Sequence, residues 1–366
     1  MERVGRFELV QHLASGGMAD VYLARNSGIG GFDRKVAIKT LRPCDDTYVG
    51  MFLDEARMLS RLHHRHIVQS YEVGCTEDDV HYLVMEYVDG QTVRRVLQEA
   101  VHRDVLVPLD VSLTIATSVA AGLHHAHERG VIHRDVSPSN VLAGYDGAVK
   151  LIDFGIAKAE DRWTRTEVGF IKGKAGYMAP EQVRGYEVDH RTDVFALGIL
   201  LYELTTRRRA YPASVAEDQL RMFSQQRLIA PPALAVEGYP RELERIVMKA
   251  LEYDPDDRHL DARSMQLALE AFAADLGIVL GGEIVQRQIQ NWFAPRSSSG
   301  HVEVEIEDTT RRARTAARHR QWLRHVEVEI EDTTRPYALD DDLETSIEDL
   351  VAGLTPTPTP PIYARS

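Results

Sequence analysis

Between Asn140 and Asp153 the chain reads VLAGYDGAVKLI, an apolar strand, a turn and a second strand. Asp146-Gly147 at the tip is a strong two-residue hairpin signal, because both positions tolerate positive φ. A turn centred there predicts that Asn140 and Asp153 stand side by side. One would supply a neutral oxygen and the other an anionic one, a pair suited to Mg²⁺ carrying a nucleotide phosphate. A second pairing lies upstream. In VAIKTL the period of two puts Ala37, Lys39 and Leu41 on one face, where an ammonium among apolar neighbours needs a partner. In MFLDEARMLSRL, Glu55 follows Phe52 by three residues and precedes Leu59 by four, beside the apolar face of a helix, where a carboxylate also needs one. Taken singly, these residues read as a strand cap, a loop opener and two surface charges. Taken together, in this order, they read as an ion pair aiming a lysine at phosphates and an oxygen pair holding their metal.

The elements that must position these groups follow from periodicity. FELVQHL, ADVYLAR and KVAIKTL read as three strands joined by turns, residues 51–62 as a helix, and YEVG and HYLVMEYV as further strands. Helical spacing dominates from about 92 to 128 and again from about 191 to 275. A strand-rich part followed by a helix-rich part predicts an α+β chain with two lobes. The first turn, LASGGMADV, carries Leu13, Ala14, Ser15, Gly16, Gly17, Met18, Ala19, Asp20 and Val21. Its small residues let backbone N–H groups approach and cradle an anion. Read as G-x-G-x-x-G it keeps only Gly16, with Ala14 and Ala19 in the other glycine places. The GIGG run at 28–31 reads as a plain turn, and no G-x-x-x-x-G-K-[ST] is present.

The motifs in their order resemble those of eukaryotic-like (Hanks-type) protein kinases, especially bacterial serine/threonine kinases. LASGGMADV stands at the glycine-rich loop, VAIK ends in Lys39, HRDVSPSN holds Asp135 and Asn140, DFG holds Asp153, and APE ends in Glu181. DVFALG (193–198) and DPDDR (254–258) match further family segments. The resemblance covers about residues 7–275 and implies the two-lobed kinase fold, with a small β-rich lobe and a larger helical one. It implies that Asp135 orients the acceptor hydroxyl, that Lys39 held by Glu55 contacts the α- and β-phosphates of ATP, and that Asn140 and Asp153 hold Mg²⁺. It places adenine against Val21, Ala37 and Leu142. Met85 would be the gatekeeper, with backbone groups of Glu86 and Val88 facing the base. Arg258 would pair with Glu181. Arg134 beside Asp135 implies control by a phosphate on the activation loop, with Thr164 and Thr166 as candidate sites.

One departure bears on catalysis. Ser137 stands where serine/threonine kinases have a lysine, and Lys174 stands where they usually have a threonine. The two groups look exchanged, so Lys174 is expected to supply the missing charge; the plainer alternative is a solvent-facing lysine. The leading function is an ATP-dependent serine/threonine protein kinase that autophosphorylates, with protein substrates. The alternative is a pseudokinase scaffold, which usually lacks one of the five catalytic positions that this chain retains. A small-molecule kinase fits the long 156–178 segment poorly. Tyrosine specificity is disfavoured, although Ser137 removes the usual marker against it.

Composition sets the outer bounds. The chain has 366 residues, a net charge of −13 and two cysteines, Cys44 and Cys75. This balance argues against nucleic-acid or anionic-membrane binding and for a reducing compartment without a disulfide framework. With no leader-like apolar segment, and VFALGILLYEL (194–204) too short to span a bilayer, the expectation is a cytoplasmic protein without a transmembrane segment. The organisation expected is a kinase domain over 7–275, a helical extension over 276–295 and a disordered tail over 296–366. The tail repeats HVEVEIEDTTR at 301–311 and 325–335 and ends in TPTPTPP. Its Thr309/Thr310 and Thr333/Thr334, phosphorylated, would suit a phosphothreonine-reading partner. The HHRH and HHAH runs lack companion ligands and read as ordinary surface and helix residues.

Overall fold

A computed structural model describes residues 3–16, 18–27, 33–42, 46–154, 175–211 and 229–293. Alternating apolar residues build a six-stranded antiparallel sheet in the order β1-β2-β3-β4-β6-β5. Its strands are β1 (Arg3–Val4), β2 (Phe7–Ser15), β3 (Ala19–Ser27), β4 (Asp33–Leu41), β5 (Ser70–Cys75) and β6 (His81–Glu86). Helix α1 (Asp46–Leu59) crosses between β4 and β5 and buries Phe52, Glu55, Ala56 and Leu59. It ends earlier than residue 62, where backbone bonds of the final turn shorten to Arg61 N–Met58 O and Leu62 N–Leu59 O.

The sheet has two apolar sides, as period-two burial requires. One packs Leu41 and Leu83 with Phe52, Leu59, Leu62, Ile67, Ala126, Val131 and Phe154, so the seam runs from the small lobe into the large one. The other side packs Phe7, Val36, Ile38, Tyr82 and Val84 among themselves.

The larger lobe is helical: α2 (Val93–His102), α3 (Leu109–His127), α4 (Pro180–Arg184), α5 (Arg191–Thr206), α6 (Arg241–Ala250), α7 (Ala262–Asp275) and α8 (Gly282–Phe293). Helices α3 and α5 are apolar on nearly every side and form the lobe's centre, as all-round hydrophobic helices must. Thr92 caps α2 by accepting from Arg95 N, and Asp261 with Ser264 caps α7 reciprocally. Among the described residues no helix is long and apolar enough to cross a membrane. A three-stranded sheet, β7 (Gly90–Thr92), β8 (Val141–Gly144) and β9 (Val149–Leu151), lies at the junction of the lobes. Helix α8 follows the main helical set and braces this sheet from behind. Gly282 meets the backbone of Gly147, where a Cβ on Gly147 would stand 2.2 Å from the Gly282 carbonyl. Gln290 Nε2 donates to Tyr145 O at 2.9 Å.

Candidate active site

The hairpin that carries Asn140 and Asp153 differs from its expected register. Leu142 pairs with Lys150 and Ala143 with Val149, so Gly144 faces Ala148 around a three-residue loop, Tyr145-Asp146-Gly147. Gly147 sits at φ +85, the left-handed position that closes such a loop. The consequence is a one-residue offset: Asn140 O accepts from Ile152 N at 3.0 Å, and Asp153 lies one step further on. Asp153 leaves the strand with φ 53, a left-handed conformation that turns its carboxylate away from the ladder. That turn directs Oδ1 to Lys39 Nζ at 3.2 Å.

Lys39 and Glu55 meet as the spacing predicted, with Nζ and Oε1 2.8 Å apart and both side chains largely buried. Burial opposes the lysine's charge, but Asp153 and Glu55 together hold its pKa above the ordinary value. The ammonium is therefore charged at every physiological pH. A three-membered chain, Glu55–Lys39–Asp153, thus ties helix α1, strand β4 and the segment after β9 into one cleft.

Asp135 and its loop rest on a network that the sequence reading missed. Asp193, in the first turn of α5, is fully buried. It accepts from His133 N and Arg134 N at 2.8 Å each and from His127 Nε2 at 2.7 Å. Burial works to raise its pKa, but the His127 bond and neighbouring donors keep it below the usual carboxylate range. Arg134 holds φ 62, which persists because its N–H is fixed by Asp193 and its carbonyl accepts from Gln182 Nε2 at 3.0 Å. His133 Nε2 faces Ile152 O at 3.1 Å and Nδ1 faces Asp135 N at 3.3 Å. Carbonyls only accept, so His133 is the neutral Nε2–H tautomer, in line with a pKa lowered by burial. The available signal was a carboxylate opening the apolar DVFALG run, since a buried anion demands donors.

Asn140 Nδ2 donates to Asp135 O at 2.8 Å and to Asp135 Oδ2 at 2.9 Å. That commitment orients the amide, so Oδ1 is the atom of Asn140 offered as a hard-cation ligand. An amide oxygen and an Asp153 carboxylate are the oxygen donors that Mg²⁺ takes, and the set fits that ion. Ser137 is 2% exposed, and its Oγ has no hydrogen-bond partner among the described residues. Glu181 and Arg258 form the expected pair, with contacts of 2.7 and 2.8 Å, and Thr192 Oγ1 also donates to Glu181.

On the sheet, Val21 pairs with Lys39 and Ala37 with Met85, so these four share the face that carries the lysine. Ala14 pairs with Val21 and belongs to it too. Ser15 and Asp20 do not. Asp20 pairs with Thr40, one residue out of step with Lys39, so the Ser15 and Asp20 side chains lie on the opposite face. The expectation for this turn is backbone contact with an anion, and the parity sets these two side chains on the face away from Lys39; Met18 packs against the inter-lobe seam. Leu13 is exposed, and Gly16 N bonds Ala19 O across the turn.

Leu142 is only partly buried on β8. Glu86 N donates to Gln69 O at 2.8 Å, so this hinge donor is spent within the fold. The Glu86 carboxylate accepts from Lys150 Nζ at 2.7 Å and ties the hinge, which includes Val88, to β9. A cavity of about 400 Å³ beside the hinge is lined by Glu86, Asp89, Tyr145 and Gln286; it contains none of Lys39, Asp135 or Asp153. Gly17, Thr164, Thr166 and Lys174 lie outside the described residues, as do the GIGG turn and the tail from 294.

This fold defines a class, the two-lobed kinases, with the cleft between a curled sheet and a helical lobe. The chain belongs to the protein kinase domain family, whose family model matches residues 7–267. It is 42% identical over 288 residues to the "Tyrosine-protein kinase MasK" of Myxococcus xanthus, covering 75% of this chain and 44% of that protein. It is 37% identical to the "Serine/threonine-protein kinase PknB" of Mycobacterium leprae, covering 72% and 42%. With the "Serine/threonine-protein kinase PrkC" of Bacillus subtilis the identity is 35%, covering 74% and 41%. The chain thus spans less than half the length of these relatives. Among solved structures, the kinase domain of PknI from Mycobacterium tuberculosis superposes with a TM-score of 0.56 at 26% identity, covering 74% of this chain and 97% of that one.

Proposed function

We propose that the chain is an ATP-dependent serine/threonine protein kinase that transfers the γ-phosphoryl group to protein hydroxyls, its own included. The observation that carries this reading is the joined set Glu55–Lys39–Asp153 and Asn140–Asp135, held in one cleft by 2.8 to 3.2 Å contacts. Lys39 would engage the α- and β-phosphates, and Asn140 and Asp153 would hold Mg²⁺. The metal, when bound, neutralises charge on the phosphates during transfer. Asp135, oriented by Asn140, would accept the proton of the acceptor hydroxyl. Val21, Ala37, Met85 and Leu142 would enclose adenine, with Val88 at the hinge. Lys174 would supply the positive charge that Ser137 does not, and Arg134 would receive a phosphate from Thr164 or Thr166. The reading places its action in the cytoplasm. The duplicated EDTT segments would serve a phosphothreonine-reading partner.

A tyrosine acceptor is the second reading. It is favoured by the name of the Myxococcus xanthus relative and by Ser137 at the lysine position. Phosphoamino-acid analysis after incubation with γ-labelled ATP separates the two: label on serine and threonine supports the first, and label on tyrosine alone replaces it with the second.

A further inference from the structure

The phosphate-facing loop lacks two of three family glycines, yet a network outside the cleft holds its base. Asp20 is the hub. Its Oδ1 accepts from Ser15 Oγ at 2.7 Å and from Arg42 Nη2 at 2.7 Å, and its Oδ2 accepts from Arg42 Nε at 2.9 Å. A two-pronged guanidinium–carboxylate contact fixes direction as well as distance. Ser15 has one proton and gives it to Asp20, so at 3.0 Å His12 Nε2 is the donor to Ser15 Oγ. Backbone bonds complete the frame: Arg42 N to Met18 O at 2.9 Å, and Gly16 N to Ala19 O at 2.8 Å. The Asp20 carboxyl is held well below the usual carboxylate range, chiefly by Arg42 and then by Ser15.

Strand parity says what this network cannot do. Val21 and Lys39 share the cleft face, whereas Asp20, paired with Thr40, points the other way. A carboxylate facing nucleotide phosphates would repel them; the Asp20 side chain instead lies on the face opposite Lys39. Ser15 and Asp20 form the last rung of the β2–β3 ladder, directly at the foot of that turn.

We infer that Asp20, Arg42 and Ser15 form an external latch that sets the conformation of the phosphate loop, making them positioning residues for the nucleotide. The latch rests on the nucleotide-binding reading above. A loop already ordered before binding gives up less freedom when ATP arrives, so affinity rises without a new contact. The alanines at 14 and 19 stiffen the same turn from within; the latch fixes it from outside.

The test uses the full chain and variants Asp20→Asn, Arg42→Gln and the double. A fluorescent ATP analogue with Mg²⁺ reports Kd without turnover, and steady-state assays separate KM for ATP from kcat. For a half-exposed ion pair the expected loss is about three- to five-fold in Kd and KM in each single variant. kcat should stay within about two-fold, because the latch does not touch the reacting atoms. The double variant should be no weaker than the singles, since they break one interaction. Arg42→Lys should restore part of the loss. About 0.5 M NaCl should weaken wild type more than the variants and so narrow the gap between them. Wild-type binding with unchanged Kd in both singles overturns the latch alone, as does an additive double. A wild type that binds no nucleotide overturns the kinase reading and the latch with it.

Discussion

The floor of the cleft and its roof are held by different means. In the large lobe, Asp193 is fully buried, Arg258 is 3% exposed and Glu181 7%, and every one has several partners. In the small lobe, the side chains of Asp20 and Arg42 are 19% and 43% exposed. Removing one partner of a buried charge strands the other without water; removing one partner of an exposed pair lets water replace it. Asp135, the proposed base, therefore sits beside buried, multiply bonded charges, and the proposed phosphate loop beside an exposed pair that salt can loosen. That division suits a reaction in which the acceptor geometry must be constant while nucleotide enters and leaves.

The buried network of the large lobe should respond most strongly to substitution. Asp193→Ala should destabilise the chain by about 3 to 5 kcal/mol, because His133 N, Arg134 N and His127 Nε2 lose their shared acceptor. Denaturant unfolding measures this, and a loss no larger than that of Arg42→Gln would erase the contrast. Next is the charge near the acceptor. Lys174→Met should lower kcat about a hundred-fold if it serves the transferring phosphoryl group. Ser137→Ala should leave the rate unchanged and stabilise slightly, since its buried hydroxyl has no partner among the described residues. An unchanged rate in Lys174→Met removes the exchange between these positions.

A smaller effect appears with pH. Burial pushes Glu203 up to about 7, against Arg209 and the Tyr177 hydroxyl, from 4.5. The folded chain keeps this proton where the unfolded chain has released it. Its contribution is full below the unfolded value and is lost as pH rises through the folded one. Between about pH 5 and pH 7.5, wild type should lose stability relative to Glu203→Gln. Parallel Tm curves for the two would refute the shift. The latch variants, at about three- to five-fold in affinity, come last.

What the sequence revealed, and what it hid, follows the same physics. Local periodicity was enough to put Lys39 on an inward face and Glu55 beside Phe52 and Leu59, and both are where the pattern required. The hairpin was legible, but its loop length was not. Asp-Gly suits both a two-residue turn and the end of a three-residue loop, and the actual choice displaced Asp153 by one position. Asp20 illustrates a different limit. Its parity against Val21 is visible in the chain, yet only the three-strand register shows that Arg42 closes on it. Asp193 depended on contacts some 60 residues apart in sequence, which no local pattern encodes.

The proposed transfer of phosphate from ATP in this cleft runs through Asp135. Its most direct test is phosphotransfer from γ-labelled ATP by wild type and Asp135→Asn, with nucleotide Kd measured on both. The expected result is labelled protein from wild type, a fall in kcat of at least about a hundred-fold in Asp135→Asn, and near-equal Kd. Equal labelling by the two proteins, or nucleotide binding by wild type with no transfer to any protein hydroxyl, would contradict it.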